Sequence, residues 1–561
     1  MKSFALRSPA RISYALAVCI GVLQAACFPK INFAPLAWLV PGALALLSLS
    51  QPPLRAFRIG YYAGLTHYLL SLYWLLLIPL PAHAVAAWLA VSAVLALYTG
   101  AWTWFCSWTF RTLGTRNKSK RAEQELGAPS KLNWPAQVLW PLACACAWVA
   151  MEMGIAHLFT GFPWNLLGAS QYKFLPLIQL ASVTGIYGIS FIVVWVSVAI
   201  GLAALRLRSS LHFDLVRPLA LPLVVLLGVL GFGVHQLVSS QPAERELLVA
   251  LVQPSIPQLL IWDEKEKLNR FNILVALSQQ AITAHPDLLV WPEAALPNLL
   301  TRFNPLTYSA VTNLVLPNRL WMILGGNDAE PKKTSSDESA ADFFNSAFLV
   351  EPSGQLVGRY HKQRLVMFGE YMPLARWFPF LKYLRAINGG FTPGDRPVPF
   401  ELRELNVKTS VLICFEDIFP HLARKSAASD TDFLLNLTND GWFRESAAQW
   451  QHAASALFRA IENGCPLVRC TNNGLTCWID SRGRMHEVYF PGSHDIYRGG
   501  VKFARLPLRA PGSKHPLTFY NRHGDWFGWS CIFLTALILV KRAAAARRTD
   551  RRFRTSTIAK S

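Results

Sequence analysis

Long apolar segments with almost no charged residues fill the first 238 positions of the chain and return near its end. Hydrophobic residues make up 52% of the 561 residues and charged residues only 16%, which is too apolar for an ordinary soluble protein. Because a helix of about 20 apolar residues crosses a bilayer, the pattern predicts a polytopic α-helical membrane domain. We expect about eight transmembrane helices, near residues 12–28, 33–49, 59–79, 84–110, 138–155, 177–205, 219–238 and 526–540.

Positive charge is distributed unevenly among the loops that join these spans. Eight spans place both termini on one side of the membrane, and the segments on that side carry 22 Lys and Arg, against only Lys30 and Lys173 in the short loops opposite. Because Lys and Arg beside a span are retained in the cytoplasm, both termini are predicted to be cytoplasmic. The chain then divides into a transmembrane domain of seven spans (1–238), an extracytoplasmic domain (239–511), and a last span with a basic tail (512–561).

The net charge of +21 raises the question of nucleic-acid binding. Most of the excess lies in loops and a tail next to lipid, where attraction to anionic headgroups explains it. We therefore expect membrane lipid, and no nucleic acid, as a partner. The cysteines show no metal-ligand spacing, so no metal or other cofactor is expected. Outside the apolar segments, Cys465 could pair with a neighbouring cysteine in an oxidising compartment, but Cys465, Cys470 and Cys477 are interpreted as unpaired core thiols.

Short β-rich runs alternate with helical stretches between positions 246 and 503, which predicts an α/β layered domain. The expected strands lie at 247–252, 287–291, 321–325, 346–351, 355–360, 409–413, 432–437, 467–471 and 475–480, and the expected helices at 264–284 and from Ser446 to Asn463. The polar stretch 328–342 is predicted to be a flexible loop. At about 270 residues this region is long enough for one domain with an ample core.

Three residues with complementary chemistry follow apolar runs of this domain. Cys414 comes directly after Val411-Leu412-Ile413, Glu293 follows Leu288–Trp291 and Pro292, and Lys362 follows Arg359-Tyr360-His361. An α/β fold presents reactive side chains at such strand ends. A thiol is mostly protonated at neutral pH and must lose its proton to attack a carbonyl. We therefore predict Cys414 as nucleophile, Glu293 as its base and Lys362 as the cation that stabilises the oxyanion.

Two further carboxylates, Glu370 and Glu416, are predicted to orient the lysine and hold its charge. Taken singly, a Glu after a strand is usually a surface or capping residue, a loop Lys is usually solvated and a Cys in such a domain is usually core. The ordered set of Glu, Lys and Cys favours an acyl-transferring or amide-processing thiol enzyme.

The same residues carry a resemblance to a known family. The matching stretches are Phe159–Asn165, Val252–Gln258, Trp291-Pro292-Glu293, Tyr360-His361-Lys362, Phe368–Pro373, Cys414-Phe415-Glu416, Asn439–Phe443 and Thr471–Gly474. In this order they resemble the apolipoprotein N-acyltransferase family of bacterial cytoplasmic membranes, within the nitrilase (carbon–nitrogen hydrolase) superfamily. One departure is Phe415, where the family usually has Tyr after the nucleophile, so any hydrogen bond from that hydroxyl is missing.

The resemblance implies a nitrilase-type αββα sandwich on about eight helices of the bacterial cytoplasmic (inner) membrane, with the catalytic domain on the periplasmic face. It implies that Cys414 takes an acyl chain from a phospholipid such as phosphatidylethanolamine. The α-amino group of a diacylglyceryl-modified apolipoprotein then accepts the chain. Trp262 matches a position where the family carries a Trp near the substrate.

Aromatic residues near the expected pocket have two interpretations. Trp262, Trp442 and Phe443 are predicted to contact substrate, yet aromatic side chains also anchor proteins at the membrane interface. Phe162 and Trp164 have the same ambiguity. His452 is expected to pack and hydrogen-bond, because the trio already supplies a base.

Two other functions are open to this sequence. In a membrane-tethered nitrilase-type amidase, water would resolve the acyl-enzyme, and the trio does not distinguish water from an amine. A transporter or channel would explain the many spans, but the spans carry few charges suited to a polar path, with Glu152 as the exception. The spans and the family-like loops favour acyl transfer, since a hydrolase of small amides does not need them.

Overall fold

The computed structural model describes residues 10–49, 51–114, 134–205, 213–239, 243–261, 263–296, 305–332, 341–372 and 390–558. The chain forms two compact units. We call them the helical unit (Met1–Tyr73, Trp88–His235 and Asp525–Ser561) and the α/β unit (Trp74–Ala87 and Gln236–Gly524).

Helices make up the described part of the N-terminal half. They are α1 (Ala10–Ala26), α2 (Val40–Ser48), α3 (Pro53–Ser71), α4 (Pro81–Gly114), α5 (Trp134–His157), α6 (Leu175–Ile178), α7 (Ala181–Thr184), α8 (Ile186–Ala204) and α9 (Phe213–Val238). Among the described residues, five helices are long and apolar enough to cross a membrane: Pro81–Arg111, Trp134–Thr160, Ile186–Ala204, Arg217–Val238 and Trp526–Ala544. Shorter apolar helices lie at Arg11–Ala26, Ala34–Ser48 and Leu175–Thr184. The region is therefore helical with several apolar helices, and the count of eight spans stays a prediction.

Two of the predicted spans differ from the helices that form. The span predicted at 59–79 is α3, which begins at Pro53 and ends at Ser71. The span predicted at 177–205 is interrupted at Gly185, whose positive φ of 67° ends α7 before α8 begins. A residue in this conformation cannot continue a right-handed helix, so one apolar run becomes short helices followed by α8.

The α/β unit contains two six-stranded sheets. The strands are β1 (Arg245–Gln253), β2 (Leu288–Val290), β3 (Trp321–Pro331), β4 (Ala341–Val350), β5 (Leu356–His361), β6 (Pro399–Leu402), β7 (Val407–Ile413), β8 (Phe433–Thr438), β9 (Leu467–Thr471), β10 (Cys477–Ile479), β11 (Met485–His486) and β12 (Gly500–Leu508). The first sheet has the order β12-β1-β2-β3-β4-β5 and the second β11-β10-β9-β8-β7-β6. In the first sheet β1 pairs in parallel with β2, and β2 with β3; in the second, β7 pairs in parallel with β8, and β8 with β9.

Among the described residues of this unit, six α-helices accompany these strands. They are α10 (Gln258–Ile261), α11 (Lys267–Ile282), α12 (Pro305–Val315), α13 (Pro420–Ser426), α14 (Ala448–Asn463) and α15 (Phe519–His523). The chain ends with α16 (Trp526–Ile558), which belongs to the helical unit.

Burial on both faces of each sheet produces four layers. Leu247, Val249 and Leu251 of β1 face the second sheet, whereas Ala250 and Val252 face α11 and α12. On the far side of the second sheet, α13 and α14 pack against it. The central strands are therefore apolar on both faces, and the observed layers are α11 and α12, two sheets, and α13 and α14. The expected αββα sandwich is confirmed.

Most predicted strands form, but the stretch 328–342 is not simply a loop. β3 runs to Pro331 and β4 begins at Ala341, and these two strands pair in register as far as Pro331 with Ala341. Asp328 is fully buried and its carboxylate pairs with Arg359 at 3.1 Å, which allows a polar residue inside the sheet. Residues 333–340 lie outside the described part.

Two segments group differently from the domain limits drawn from the sequence. Trp74–Ala87 belongs to the α/β unit, because Trp74 is buried there and its indole N–H donates to Gln451 Oε1 at 3.0 Å. The segment 512–524 also belongs to this unit, where Asn521 Nδ2 donates to Asn463 Oδ1 at 2.7 Å.

Candidate active site

The three predicted catalytic residues lie just beyond the ends of three strands. Glu293 follows β2, Lys362 follows β5 and Cys414 follows β7. The first two strands belong to one sheet and the third to the other. The face-to-face packing of the two sheets brings these residues together, and no local sequence rule could have shown this. Electrostatic coupling of Cys414 to both Glu293 and Lys362 reflects this proximity.

Cys414 occupies a strained position at the start of a short 3₁₀-helix. Its φ is +54°, unusual for a residue with a side chain, and the 3₁₀-helix Cys414–Ile418 begins where β7 ends. Asn436 Nδ2 of β8 donates to the Cys414 carbonyl at 2.8 Å. Strain of this kind is held in place by surrounding contacts and is common at reactive residues. The side chain is partly buried.

Burial raises the pKa of the Cys414 thiol well above its ordinary value, and the negative charge of Glu293 adds to that effect while Lys362 opposes it. The resting thiol is therefore protonated at neutral pH. It needs a base at the moment of attack rather than a permanently ionised state.

Lys362 is a buried cation held between two carboxylates. Its side chain is 1% exposed, and Nζ lies 2.8 Å from Glu370 Oε1 and 3.4 Å from Glu293 Oε1. Burial opposes the charged form, but Glu370, Glu293 and Cys414 together raise the pKa of Lys362 above its usual value. The Nζ atom also lies 5.5 Å from the centre of the Phe415 ring. Lys362 is therefore a fixed positive charge beside the thiol.

Glu293 combines one occupied and one free carboxylate oxygen. Oε1 accepts from Asn345 Nδ2 at 2.8 Å and faces Lys362. Within the part of the chain that the structure describes, no group donates a hydrogen bond to the buried Oε2. A buried acceptor without a donor is costly, and here it is available to take a proton. An unoccupied carboxylate oxygen of this kind is one feature expected of a general base.

Asn345 is a contributor that sequence reasoning missed. Its Nδ2 donates to Glu293 Oε1 at 2.8 Å and to Glu370 Oε1 at 3.0 Å, and its backbone carbonyl accepts from the Lys362 backbone N–H at 2.9 Å. It therefore joins both carboxylates to the lysine. The sequence carries no clear signal for it, because Asn345 and Ser346 are simply two polar residues within the mostly apolar strand β4.

The two predicted supporting carboxylates act in different ways. Glu370 contacts the lysine directly and also accepts the Val366 N–H at 2.8 Å. Glu416 instead accepts hydrogen bonds from backbone N–H groups near the lysine, and the Lys362 charge acts on it electrostatically.

Glu416 accepts four hydrogen bonds from the chain around Lys362 and Cys414. Oε1 accepts from the backbone N–H groups of Gln363 and Arg364 at 2.7 and 2.9 Å. Oε2 accepts from the Ile413 N–H at 2.7 Å and the Tyr360 hydroxyl at 2.8 Å. Burial raises the pKa of Glu416 to about 7, although these donors oppose the rise. Its position ties the end of β5 to the end of β7.

The predicted substrate-contacting aromatic residues fall in different places. Trp262 lies outside the described residues. Trp442 lines a cleft of about 410 Å³ together with Leu77, Pro257 and Arg444. The Phe443 ring meets the Trp74 ring edge to face, with centroids 4.5 Å apart. In the helical unit, Trp164 is buried and stacks on Phe162 at 5.9 Å.

Comparison with known proteins connects both units to one family. The family model described as the apolipoprotein N-acyltransferase N-terminal domain matches residues 20–199, and the carbon-nitrogen hydrolase model matches residues 248–494. An apolipoprotein N-acyltransferase of Geobacter metallireducens is 34% identical over 534 residues, covering 94% of this chain and 95% of the relative. The chain belongs to the apolipoprotein N-acyltransferase family.

Other members of the family match at similar levels. The enzyme of that name from Brucella melitensis biotype 1 is 30% identical over 527 residues, covering 90% of this chain and 89% of the relative. Among solved structures, Saccharomyces cerevisiae Nit3, described as a member of branch 10 of the nitrilase superfamily, matches with a TM-score of 0.34 and 18% identity, over 48% of this chain and 92% of that chain. Membership of the family confirms the resemblance stated from the sequence motifs.

Proposed function

We propose that this chain transfers an acyl chain from a membrane phospholipid to the amino-terminal cysteine of a diacylglyceryl-modified lipoprotein, through a thioester on Cys414. The observation that carries the proposal is the buried contact of Lys362 with Glu293, both coupled to Cys414, in a chain of this family. Phosphatidylethanolamine is proposed as the donor.

In the first step Glu293 takes the thiol proton and Cys414 Sγ attacks the ester carbonyl carbon of the phospholipid. The carbonyl oxygen becomes an oxyanion, which the Lys362 ammonium stabilises. The carbon–oxygen bond to the glycerol then breaks, and the departing oxygen takes the proton from Glu293. The products are a thioester on Cys414 and a lysophospholipid.

In the second step the free α-amino group of the lipoprotein's diacylglyceryl-cysteine attacks the thioester carbonyl. A carbon–nitrogen bond forms, and Lys362 again stabilises the oxyanion. The carbon–sulfur bond breaks, and Glu293 takes a proton from the amine and returns one to the thiolate. The products are the triacylated protein and free Cys414, so one base and one cation serve both steps.

The environment of the trio supports this division of roles. Glu370 and Asn345 hold Lys362 and Glu293 in fixed positions, so little reorganisation is needed when charge develops. The Phe415 ring replaces the hydroxyl expected after the nucleophile and offers the ammonium a cation–π contact instead. Trp262, Trp442 and Phe443 are proposed as contacts for the lipid chains.

The cellular setting follows from the sequence and is proposed with the function. The several apolar helices support a membrane protein. The excess of Lys and Arg in one set of loops supports cytoplasmic termini and an α/β unit on the periplasmic face of the inner membrane. Both substrates are lipid-anchored, so an enzyme tethered by its own spans meets them without capture from bulk water.

The rival amidase function uses the same trio, with water in place of the amine. It is not favoured, because the relatives that span most of this chain are named N-acyltransferases. A transporter function would not use Glu293, Lys362 and Cys414, which lie in the α/β unit and not among the apolar helices.

A transfer assay tests the proposal. Purified protein in detergent receives phosphatidylethanolamine with a labelled acyl chain, with or without a synthetic peptide that starts with diacylglyceryl-cysteine. We expect the label on the peptide's amino group and an equal amount of lysophospholipid. Free labelled fatty acid in the presence of the peptide, with none on the peptide, would favour the amidase and contradict the proposal.

A further inference from the structure

A second buried charged cluster lies behind the nucleophile. It consists of Asp417, Asp440, His452 and Arg469, and each side chain is at most 1% exposed. The trio and its supporting carboxylates do not include any of these residues. We call this set the buried charge cluster.

Each member of the buried charge cluster comes from a different element. Asp417 lies in the 3₁₀-helix that begins with Cys414, and Asp440 begins the 3₁₀-helix Asp440–Phe443 after β8. His452 belongs to α14 and Arg469 to β9. The cluster therefore connects the turn that carries the nucleophile to the turn that carries Trp442 and Phe443.

The contacts of His452 determine its charge. Nε2 lies 2.7 Å from Asp417 Oδ1, and Nδ1 lies 2.8 Å from Asp440 Oδ1. A carboxylate oxygen accepts hydrogen bonds and does not donate them, so both ring nitrogens must carry a proton. His452 is thus an imidazolium. The two carboxylates raise its pKa to about 9, although burial opposes this.

Arg469 completes the charge balance. It pairs with Asp417 through Nη1, and its Nη2 lies 3.6 Å from Asp440 Oδ2. Two anions therefore face two cations. The other charged pair on α14, Arg459 with Glu462, is balanced within itself at 2.8 Å.

This balance matters because the cluster acts electrostatically on the nucleophile. Burial and Glu293 raise the pKa of Cys414 most, and Asp440 adds to the rise. The charge of Arg469 interacts electrostatically with the thiols of Cys477 and Cys414. Without the imidazolium, the cluster would have a net negative charge beside a group that must become a thiolate and then bear an oxyanion.

α14 also fixes the position of the nucleophile's helix. Arg459 Nη1 donates to the Ile418 carbonyl at 2.9 Å, at the last residue of the 3₁₀-helix that Cys414 begins. His452 holds Asp417 one residue earlier. A strained residue keeps its conformation only when its surroundings impose it, and these contacts from α14 contribute to that constraint.

We propose that His452 is a positioning residue for Cys414, which holds the nucleophile's helix through Asp417 and cancels the negative charge of Asp417 and Asp440 beside the thiol. The proposal rests on Cys414 being the nucleophile of the proposed function. It goes beyond the expectation that His452 packs and hydrogen-bonds, which its burial and its two contacts confirm.

Alkylation of Cys414 by iodoacetamide across pH tests this without any lipid substrate. The extent of labelling is read from the mass of the peptide that contains Cys414, and the pH of half-maximal rate reports the ease of thiolate formation. For His452→Gln, which keeps hydrogen bonding but removes the cation, we expect this midpoint to rise by about one pH unit. Asp440→Asn removes an anion and should lower the midpoint.

The double variant His452→Gln/Asp440→Asn restores the charge balance, so its midpoint should return toward that of the parent protein. His515→Gln, which changes a buried histidine elsewhere in the α/β unit, is the matched control and should not shift it. If His452→Gln does not fold, the double variant compared with Asp440→Asn isolates the His452 charge, and its midpoint should be the higher of the two; equal midpoints would overturn the proposal.

A midpoint that does not move in Asp440→Asn, or that moves in the same direction in both single variants, would overturn the proposal. Acyl transfer is measured on the same variants. If the midpoints shift as expected but the parent protein forms no acyl-Cys414, the proposed function is contradicted. The effect of the His452 charge on the thiol would still be supported.

Discussion

At the scale of single residues, the proposed chemistry depends on one cation shared by two carboxylates. Lys362 lies closer to Glu370 than to Glu293. The second carboxylate oxygen of Glu293, Oε2, accepts no hydrogen bond from any described group. The residue types and their order along the chain indicated this chemistry. Asn345 was not predicted, because an amide inside a strand gives no sign of what its side chain reaches across the sheet.

Glu293 and Lys362 should fail in different ways when each is replaced. Glu293→Gln removes the proton acceptor, so acyl-Cys414 should not form at neutral pH and should recover partly as pH rises. Because burial raises the pKa of the thiol, recovery should begin above the ordinary thiol value of about 8.5. Lys362→Met removes oxyanion stabilisation, which should cost about 100-fold to 1,000-fold in acylation, and high pH should not restore it.

Mass measurement of acyl-Cys414 across pH separates the two variants. Equal recovery of both at high pH, or recovery of Lys362→Met alone, would show that the roles are assigned wrongly.

Glu416→Gln should destabilise the α/β unit more than its small change in shape suggests. The amide NH₂ would replace an oxygen that accepts two hydrogen bonds and would face N–H or O–H donors. We expect a loss of about 2 kcal/mol or more in the free energy of unfolding, measured by chemical denaturation. Glu401→Gln, on an exposed part of β6, is the control and should change it by less than about 0.5 kcal/mol. Equal effects would show that the four hydrogen bonds to Glu416 contribute little.

At the scale of elements, the site is assembled from strand ends of two sheets. The apolar runs predicted nearly every strand, because both faces of the central strands are buried and the runs are continuous. The order of strands within each sheet and the pairing of the sheets could not be predicted, since they depend on contacts between residues far apart in the chain. The extension of β3 and β4 was missed because Asp328 suggested a loop, while its pairing with Arg359 is visible only in three dimensions.

Gly325 of β3 gives a test of how tightly these elements approach one another. A Cβ at this position would lie 2.3 Å from the Pro292 carbonyl oxygen and 2.8 Å from Glu293 Cα, so the backbone that carries the base would have to move. Gly325→Ala should reduce acylation of Cys414 at least about tenfold, because a small displacement of a catalytic group is costly.

Gly228→Ala is the matched control, since a Cβ there meets no atom within 4 Å. Both variants are assayed for acyl-Cys414 formation and for thermal unfolding. Full activity in a folded Gly325→Ala protein would show that the position of Glu293 is not set by β3.

At the scale of the whole molecule, the chain joins a helical unit to an α/β unit of known family. Hydropathy indicated the helical character correctly, but it could not show that Gly185 breaks one run or that Trp74–Ala87 belongs to the α/β unit. Both outcomes depend on local backbone conformation and on packing partners distant in sequence. The number of spans remains a prediction of hydropathy, and their orientation remains a prediction of the charge count.

Labelling in intact cells tests the orientation. A reporter fused after Ser561 should be cytoplasmic. A tag inserted within 333–340 should react with a reagent that does not cross the inner membrane, in cells whose outer membrane alone has been made permeable. A tag within 118–125, on the predicted cytoplasmic side, is the control and should be protected. Protection of the tag in 333–340 would overturn the assigned topology.

The most direct test of the account is the mass of Cys414 after the protein meets a phospholipid without an acceptor. We expect the peptide that contains Cys414 to gain the mass of one acyl chain as a thioester, and to lose it when the lipidated peptide is added. Cys414→Ala should form no adduct, whereas Cys470→Ala should behave like the parent protein. An acyl group on a different residue, or full transfer activity in Cys414→Ala, would contradict the account.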